Sequence, residues 1–259
     1  MKIRANGIDI RYEVSGSGPW LTLAHSLATD LSLWDDLAAK LARRYTVLRY
    51  DARGHGGSDA PEGPYSFDQL VADLVGLLDA LKIERTHFVG LSMGGMLGQH
   101  FALAAPARLD RLAVVSSTCR VPPEAGALWD ERIATARARG MAAHVEATLA
   151  RWFTAPYRDA HPEVMQRIGA LIAATPVAGF AGWGGAIRGL DICGRLGAVR
   201  APTLVVVGAD DPGTPPAASA AIAAGIPGAR LEVISAASHQ LAIEQAETFE
   251  HLLLEFLAG

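Results

Sequence analysis

Along most of the chain, short apolar runs alternate with stretches in which apolar residues recur every three or four positions. The first two runs, Lys2–Ala5 and Ile8–Val14, flank Asn6-Gly7. Asn-Gly tolerates the positive φ angles of a two-residue turn, so the segment predicts a β-hairpin. The loop S-G-S-G-P follows, and Trp20–Ala24 reads as a buried strand. From there the two patterns take turns. Helix over Trp34–Arg43 is followed by strand over Thr46–Tyr50, and helix over Phe67–Leu81 by strand over Thr86–Val89. Helix over Met93–Ala104 and strand over Leu112–Ser116 complete the series. Such alternation implies a mostly parallel α/β sheet covered on both faces, because each parallel connection must cross back over the sheet.

The rhythm breaks between residues 122 and 199, where helical periodicity continues with no strand between: Ala127–Arg139, Ala142–Phe153, Pro162–Ala174 and Phe180–Leu190. It resumes with strand Thr203–Val207, helix Ala217–Ala224, strand Leu231–Ile234 and helix Ile243–Phe256. The expected organisation is one core domain, residues 1–121 and 200–259, with a helical cap, residues 122–199, inserted between two strands. Ligands of such sheets sit at the carboxyl ends of the parallel strands, so the cap should cover that edge.

Composition narrows the class of ligand. The 259 residues are 50% hydrophobic, enough for a substantial core. A formal net charge of −4 offers no basic face to nucleic acid and no acidic tail. No phosphate-binding loop and no zinc spacing of Cys and His occurs. No run is long and apolar enough to span a bilayer, and M-K-I-R-A-N-G-I-D-I lacks the apolar centre of a signal peptide. The expectation is a cytoplasmic protein acting on a small molecule, without nucleic-acid or membrane partners; a homo-oligomer stays open. Cys119 and Cys193 are too few for a disulfide framework and read as reduced thiols, with a single bridge as the alternative.

Candidate chemistry begins at G-L-S-M-G, residues 90–94, which fits G-x-S-x-G between a predicted strand and a predicted helix. In a nucleophile elbow the serine backbone is strained so that its hydroxyl stands clear of the sheet. Side chains two residues to either side would collide with that turn, and Gly90 and Gly94 remove them. The alternative is a serine that merely caps a helix. A hydroxyl nucleophile needs a base, and His239 follows the last predicted strand, at the same sheet edge as Ser92. His87 and His100 fall inside a strand and a helix, His144 and His161 in the cap, and His251 on the last helix. His25 and His55 sit in loops at the functional edge and are secondary candidates for pocket lining. V-V-V-G-A-D-D-P supplies an acid to orient the imidazole: Asp211 by its spacing from Gly208, with Asp210 as the fallback. Asp51 reads as a loop hydrogen-bonder. The N–H groups of Met93, just after the serine, and of Leu27, in the loop after Trp20–Ala24, are the expected oxyanion donors.

Several segments together resemble the α/β-hydrolase superfamily: V-L-R-Y-D-A-R-G-H-G-G-S (47–58), G-P-Y-S (63–66), G-L-S-M-G-G-M (90–96) and A-P-T-L-V-V-V-G (201–208). S-L-A-T-D-L-S-L-W (26–34) and R-W-F-T (151–154) are similar, more narrowly, to the 3-oxoadipate enol-lactonases. That family usually has Gly where Ala28 stands, and a Ser-Asn-Ile-Glu-like run where this chain has Gln240–Glu244. The resemblance implies an α/β-hydrolase fold and opening of an enol-lactone by Ser92, His239 and Asp211 through an acyl-enzyme, with no metal or organic cofactor. It also implies a substrate carboxylate, for which Arg120, Arg132, Arg151 and Arg188 are candidates; Trp129 and Trp152 read as pocket wall or cap core. A broad carboxylesterase or arylesterase with perhydrolase side activity would use the same residues, and so would a receptor that binds without turnover.

Overall fold

The computed structural model describes all 259 residues, Met1–Gly259. Eight strands make one sheet: β1 (Lys2–Ala5), β2 (Ile8–Ser15), β3 (Trp20–Ala24), β4 (Thr46–Tyr50), β5 (Thr86–Leu91), β6 (Leu109–Val115), β7 (Thr203–Gly208) and β8 (Arg230–Ile234). Their order is β1-β2-β4-β3-β5-β6-β7-β8. The hairpin forms as the sequence predicts, with Ala5 opposite Ile8 and positive φ at both Asn6 (42°) and Gly7 (81°). β2 pairs antiparallel with β4, and every pairing from β4 to β8 is parallel. Side-chain chemistry follows position. β2 alternates buried and half-exposed residues over most of its length, whereas T-L-V-V-V-G of β7 is buried throughout, as a strand covered on both faces must be.

Helices α1 (Asp35–Leu41), α2 (Phe67–Ala80) and α3 (Met93–Ala104) connect the four parallel strands β3 to β6. The segment between β6 and β7 contains α4 (Gly126–Arg139), α5 (Val145–Trp152), α6 (Ala155–Ala160), α7 (Pro162–Ala174) and α8 (Val177–Arg188), and no strand. After β7 come α9 (Pro216–Gly225), α10 (Leu241–Glu244) and α11 (Ala246–Ala258). Helices cover both faces of the sheet. The inserted helices do not build a core of their own: Trp152, Phe153, Ile168, Phe180 and Trp183 belong to the same cluster of 65 buried residues as the sheet. A polar tie fixes α8 as well. Trp183 Nε1 donates to the Arg53 carbonyl at 2.8 Å, and Arg53 forms a buried bidentate pair with Asp73 at 2.6 and 2.7 Å.

Several elements differ from the sequence expectation, and β6 and α8 each begin three residues earlier, at Leu109 and Val177. β5 runs through Gly90 to Leu91, because the parallel pairing with β6 continues to Leu91↔Val115. The single helix expected over Ile243–Phe256 is broken at Gln245, whose φ of −125° and ψ of 49° interrupt the helical path. α6 has only six residues, too few for a periodic signal.

The cysteines also differ. Cys119 and Cys193 form a disulfide with their α-carbons 5.0 Å apart, although 74 positions separate them in sequence. The two stems of the insertion return side by side. Val121 N–H donates to the Leu190 carbonyl at 2.8 Å and Ile192 N–H to the Cys119 carbonyl at 2.9 Å, which brings the thiols into register. The pairing removes the cysteines as an argument for a reducing compartment. No single helix is long and apolar enough to cross a membrane.

Candidate active site

Ser92 occupies the one-residue turn between β5 and α3 with φ 55° and ψ −109°, a conformation that a residue with a side chain adopts only under constraint. The constraint is visible on both sides. Ser92 N–H donates to the Val115 carbonyl at 2.8 Å, and Ser117 Oγ donates to the Ser92 carbonyl at 2.9 Å. A Cβ at Gly90 would strike the Gly94 carbonyl, and one at Gly94 would strike the Ala24 carbonyl. The capping alternative fails here, since the Ser92 hydroxyl makes no bond to the helix N-terminus. It opens instead into a cavity of about 420 Å³. Segments after β3, β5, β6, β7 and β8 meet there, contributing Leu27, Ser92, Thr118, Thr214 and His239. This is the carboxyl edge of the sheet, and helices of the insertion close it from above with Trp129, Arg132 and Trp152.

His239 Nδ1 lies 2.8 Å from Asp211 Oδ2. Asp211 is buried and accepts three further bonds: from Gly213 N–H at 2.8 Å, Thr214 N–H at 3.0 Å and Thr214 Oγ1 at 2.8 Å. Burial alone would raise the Asp211 carboxyl; the His239 charge and hydrogen bond, with Thr214, bring it below its ordinary value. An ionised carboxylate can only accept, so Nδ1 carries the proton and Nε2 of the neutral ring is left as a lone-pair acceptor. Neither Nε2 nor the Ser92 hydroxyl is consumed by another protein hydrogen bond. Asp210 is exposed, and its backbone carbonyl accepts from Ser238 Oγ at 3.3 Å.

Neither of the two expected backbone donors is spent on another hydrogen bond. Met93 begins α3, so its N–H has no partner inside the helix. Leu27 lines the cavity, and its N–H is unused. Its loop is held from below by side chains that do not reach the cavity. Ala28 N–H donates to His55 Nε2 at 3.1 Å, Ala52 N–H donates to His25 Nε2 at 3.0 Å, and Gln240 Nε2 donates to Ser26 Oγ at 3.2 Å. His25 and His55 therefore do not line the cavity. Both are buried beneath it and held below their ordinary pKa by burial, His55 to about 3 with a further push from His25. Ala28 has φ 61°, which accounts for glycine as the usual residue there. The left-handed conformation costs a side chain about 1–2 kcal/mol, of which a buried methyl returns about 0.8.

The R-W-F-T stretch is clamped to the histidine loop. Gln240 N–H donates to the Trp152 carbonyl at 3.0 Å and Ser238 Oγ to the Arg151 carbonyl at 3.1 Å. The buried Glu244 carboxylate accepts from Thr154 N–H at 2.7 Å, from Thr154 Oγ1 at 2.8 Å and from Ser238 N–H. Trp152 in turn stacks on His239, ring centroids 6.0 Å apart. Of the four arginines, Arg132 and Arg151 line the cavity and Arg120 stands exposed at its mouth. Arg188 faces away and pairs with Asp130 at 2.9 Å. Ser117, Thr214 and Glu244 escaped sequence reading, and His55 was placed at the right edge but in the pocket wall rather than beneath it. Each acts on its neighbours through a contact distant in sequence or through a generic polar group, and neither leaves a spacing signature.

Comparison with known proteins identifies the family of the fold. The sequence pattern of the alpha/beta hydrolase fold matches residues 19–246. 3-Oxoadipate enol-lactonase 2 of Acinetobacter baylyi is 34% identical over 251 residues, covering 96% of this chain and 93% of the relative. A RutD protein of Variovorax paradoxus, to which carbamate hydrolysis is ascribed, is 32% identical with 96% of both chains covered. The crystal structure of an enol-lactonase from Burkholderia xenovorans LB400 superposes with a TM-score of 0.96 at 38% identity, covering 100% of each chain. The chain is a hydrolase and belongs to the α/β-hydrolase family.

Proposed function

We propose that the protein is a serine hydrolase that opens an enol-lactone, 3-oxoadipate enol-lactone by its nearest chemistry. Ser92 is the nucleophile, His239 the base and Asp211 the orienting acid. The observation that carries this reading is the buried Asp211–His239 pair opening into the same cavity as a strained serine whose hydroxyl is not spent on capping. His239 Nε2 takes the hydroxyl proton as Ser92 Oγ attacks the ring carbonyl, and the imidazolium is stabilised by Asp211. The oxyanion rests on the Leu27 and Met93 N–H groups, each such donor being worth about 3 kcal/mol in the transition state. The ring C–O bond breaks, the enol oxygen takes the proton back from His239, and the enol tautomerises to a ketone. Water, deprotonated by the same imidazole, then cleaves the acyl-enzyme and frees the acid. Ser92 and His239 are not hydrogen-bonded at rest; such contacts tighten when substrate is bound.

The enol-lactonases among the relatives support the lactone, and the carbamate-directed relative makes the comparison of substrates the decisive measurement. The wild type is expected to open the enol-lactone with a kcat/KM well above that for neutral aryl acetates. Ser92→Ala should lower turnover of both by about 10⁴-fold or more while the circular dichroism spectrum stays unchanged. Faster turnover of the aryl esters would move the assignment to a broad carboxylesterase. Near-wild-type activity of Ser92→Ala would remove Ser92 as nucleophile.

A further inference from the structure

We propose that the cavity holds a built anion subsite in which the Arg132 guanidinium anchors a carboxylate of the substrate, a specificity-determining role that rests on reading this cavity as the substrate site. Arg132 projects from α4 and Arg151 from the last turn of α5, and both line the cavity with Ser92 and His239. Several shielded arginines of this protein are paired: Arg53 with Asp73, Arg11 with Asp51, and Arg49 with Glu13 and Asp35. Arg132 and Arg151 line the cavity, with the exposed Arg120 at its mouth, and no carboxylate lines it with them. Neither forms an ion pair, and neither guanidinium donates a hydrogen bond to the protein. The nearby carboxylates are committed elsewhere, Asp211 to His239 and Asp130 to Arg188. His144, packed behind Arg132, takes up only its backbone carbonyl, at 3.0 Å.

A cation withdrawn from water without a partner is unfavourable unless a ligand completes it. The Arg132 plane is pre-set by aromatic faces, 4.3 Å from the Trp129 ring centroid and 5.7 Å from that of Phe180. Such contacts fix the guanidinium but use none of its N–H groups, so its fork stays available to a planar bidentate acceptor. Burial, with Arg151 nearby, lowers Arg132 to about 10, which leaves it charged at neutral pH. A carboxylate fits these donors, and the rest of the ligand would be apolar, against Leu27, Met96, Trp152 and Ile187. Arg151 stands beside the Asp211 turn, its Cδ 3.7 Å from the position a Cβ on Gly213 would take. Ring opening at Ser92 creates a second carboxylate at that end. The product, a short α,ω-dicarboxylate, is therefore a ligand in its own right.

Adipate and hexanoate differ only in the terminal carboxylate, and binding needs no turnover. Titration calorimetry on the Ser92→Ala protein is expected to show adipate binding more tightly than hexanoate. Adding Arg132→Met should weaken adipate by about 10- to 100-fold, the scale of a lost charge-assisted hydrogen bond. Arg132→Lys, which keeps the charge but not the fork, should fall between. With Ser92 present, the kcat/KM ratio of monomethyl adipate to methyl hexanoate should drop by a similar factor in Arg132→Met, through KM rather than kcat. Adipate affinity within about twofold of the parent in both Arg132 variants overturns the proposal and leaves Arg132 as packing for Trp129. If no ester is turned over yet adipate binding still responds to Arg132, the subsite stands and the hydrolase reading of the cavity falls.

Discussion

At the scale of single residues, the two adjacent carboxylates after β7 are separated by environment rather than by type. Asp211 is buried, bonded to His239 and to three further donors, while Asp210 faces solvent. Asp211→Asn keeps the shape but turns an acceptor into an amide, which favours the wrong imidazole tautomer. Steady-state assays should find kcat down by about 10³- to 10⁴-fold for Asp211→Asn and near wild type for Asp210→Asn. The opposite ranking would transfer the orienting role to Asp210. That Ser92, His239 and Asp211 fall at one edge of the sheet was legible because the chemistry restricts residue type and strand order restricts position. The hydroxyl of Thr214 was not. A threonine beside an acid is common, and only folding brings its Oγ1 within 2.8 Å of Asp211 Oδ2 and 3.3 Å of His239 Nδ1.

At the scale of elements, the insertion is held at two places: the R-W-F-T stretch on the histidine loop and the disulfide between its stems. The strands, and helices of ten residues or more, were readable from apolar pattern, but neither attachment was. Both join segments far apart in sequence, and two cysteines alone do not say whether they meet. Closing a loop of 74 residues withdraws much conformational freedom from the unfolded chain. Replacing Cys119 and Cys193 together by Ala should therefore cost about 2–4 kcal/mol. Thermal unfolding should register this as a Tm lower by roughly 5–15 °C, with the wild type reaching a similar Tm once reduced. Thr118 and Arg120 line the cavity on either side of Cys119, so KM should rise as the stem loosens. A double variant with the wild-type Tm would mean the backbone pairing of the stems suffices without the bridge.

At the scale of the whole molecule, the alternating pattern gave away the doubly covered sheet, because a parallel strand must be apolar on both faces. It gave no sign of the polar layer beneath the cavity. His25, His55, Asp51 and Ser26 are all buried there, and the two imidazoles lie 5.1 Å apart between ring centroids. Each accepts a backbone N–H through a lone pair that exists only in the neutral ring. Burial holds both below the ordinary histidine value, His55 to about 3. In the unfolded chain they titrate near pH 6.5, so below that pH the unfolded state binds more protons than the folded one. Stability is fully present above about pH 6.5 and declines as pH falls toward the folded values. Between pH 7.5 and 4.5 the loss from His55 should reach about 2–3 kcal/mol, and His25, also held low by burial, acts in the same direction. Asp211 adds nothing in that range, since its lowered folded value places its contribution below about pH 4. Urea unfolding followed across this range should show the decline. In His55→Gln, whose amide oxygen can accept the Ala28 N–H without titrating, the slope should shrink. A pH-independent unfolding free energy down to pH 4.5, or an unchanged slope in His55→Gln, would show that these imidazoles are not held neutral. The loop carrying the Leu27 N–H would then owe its position to other contacts.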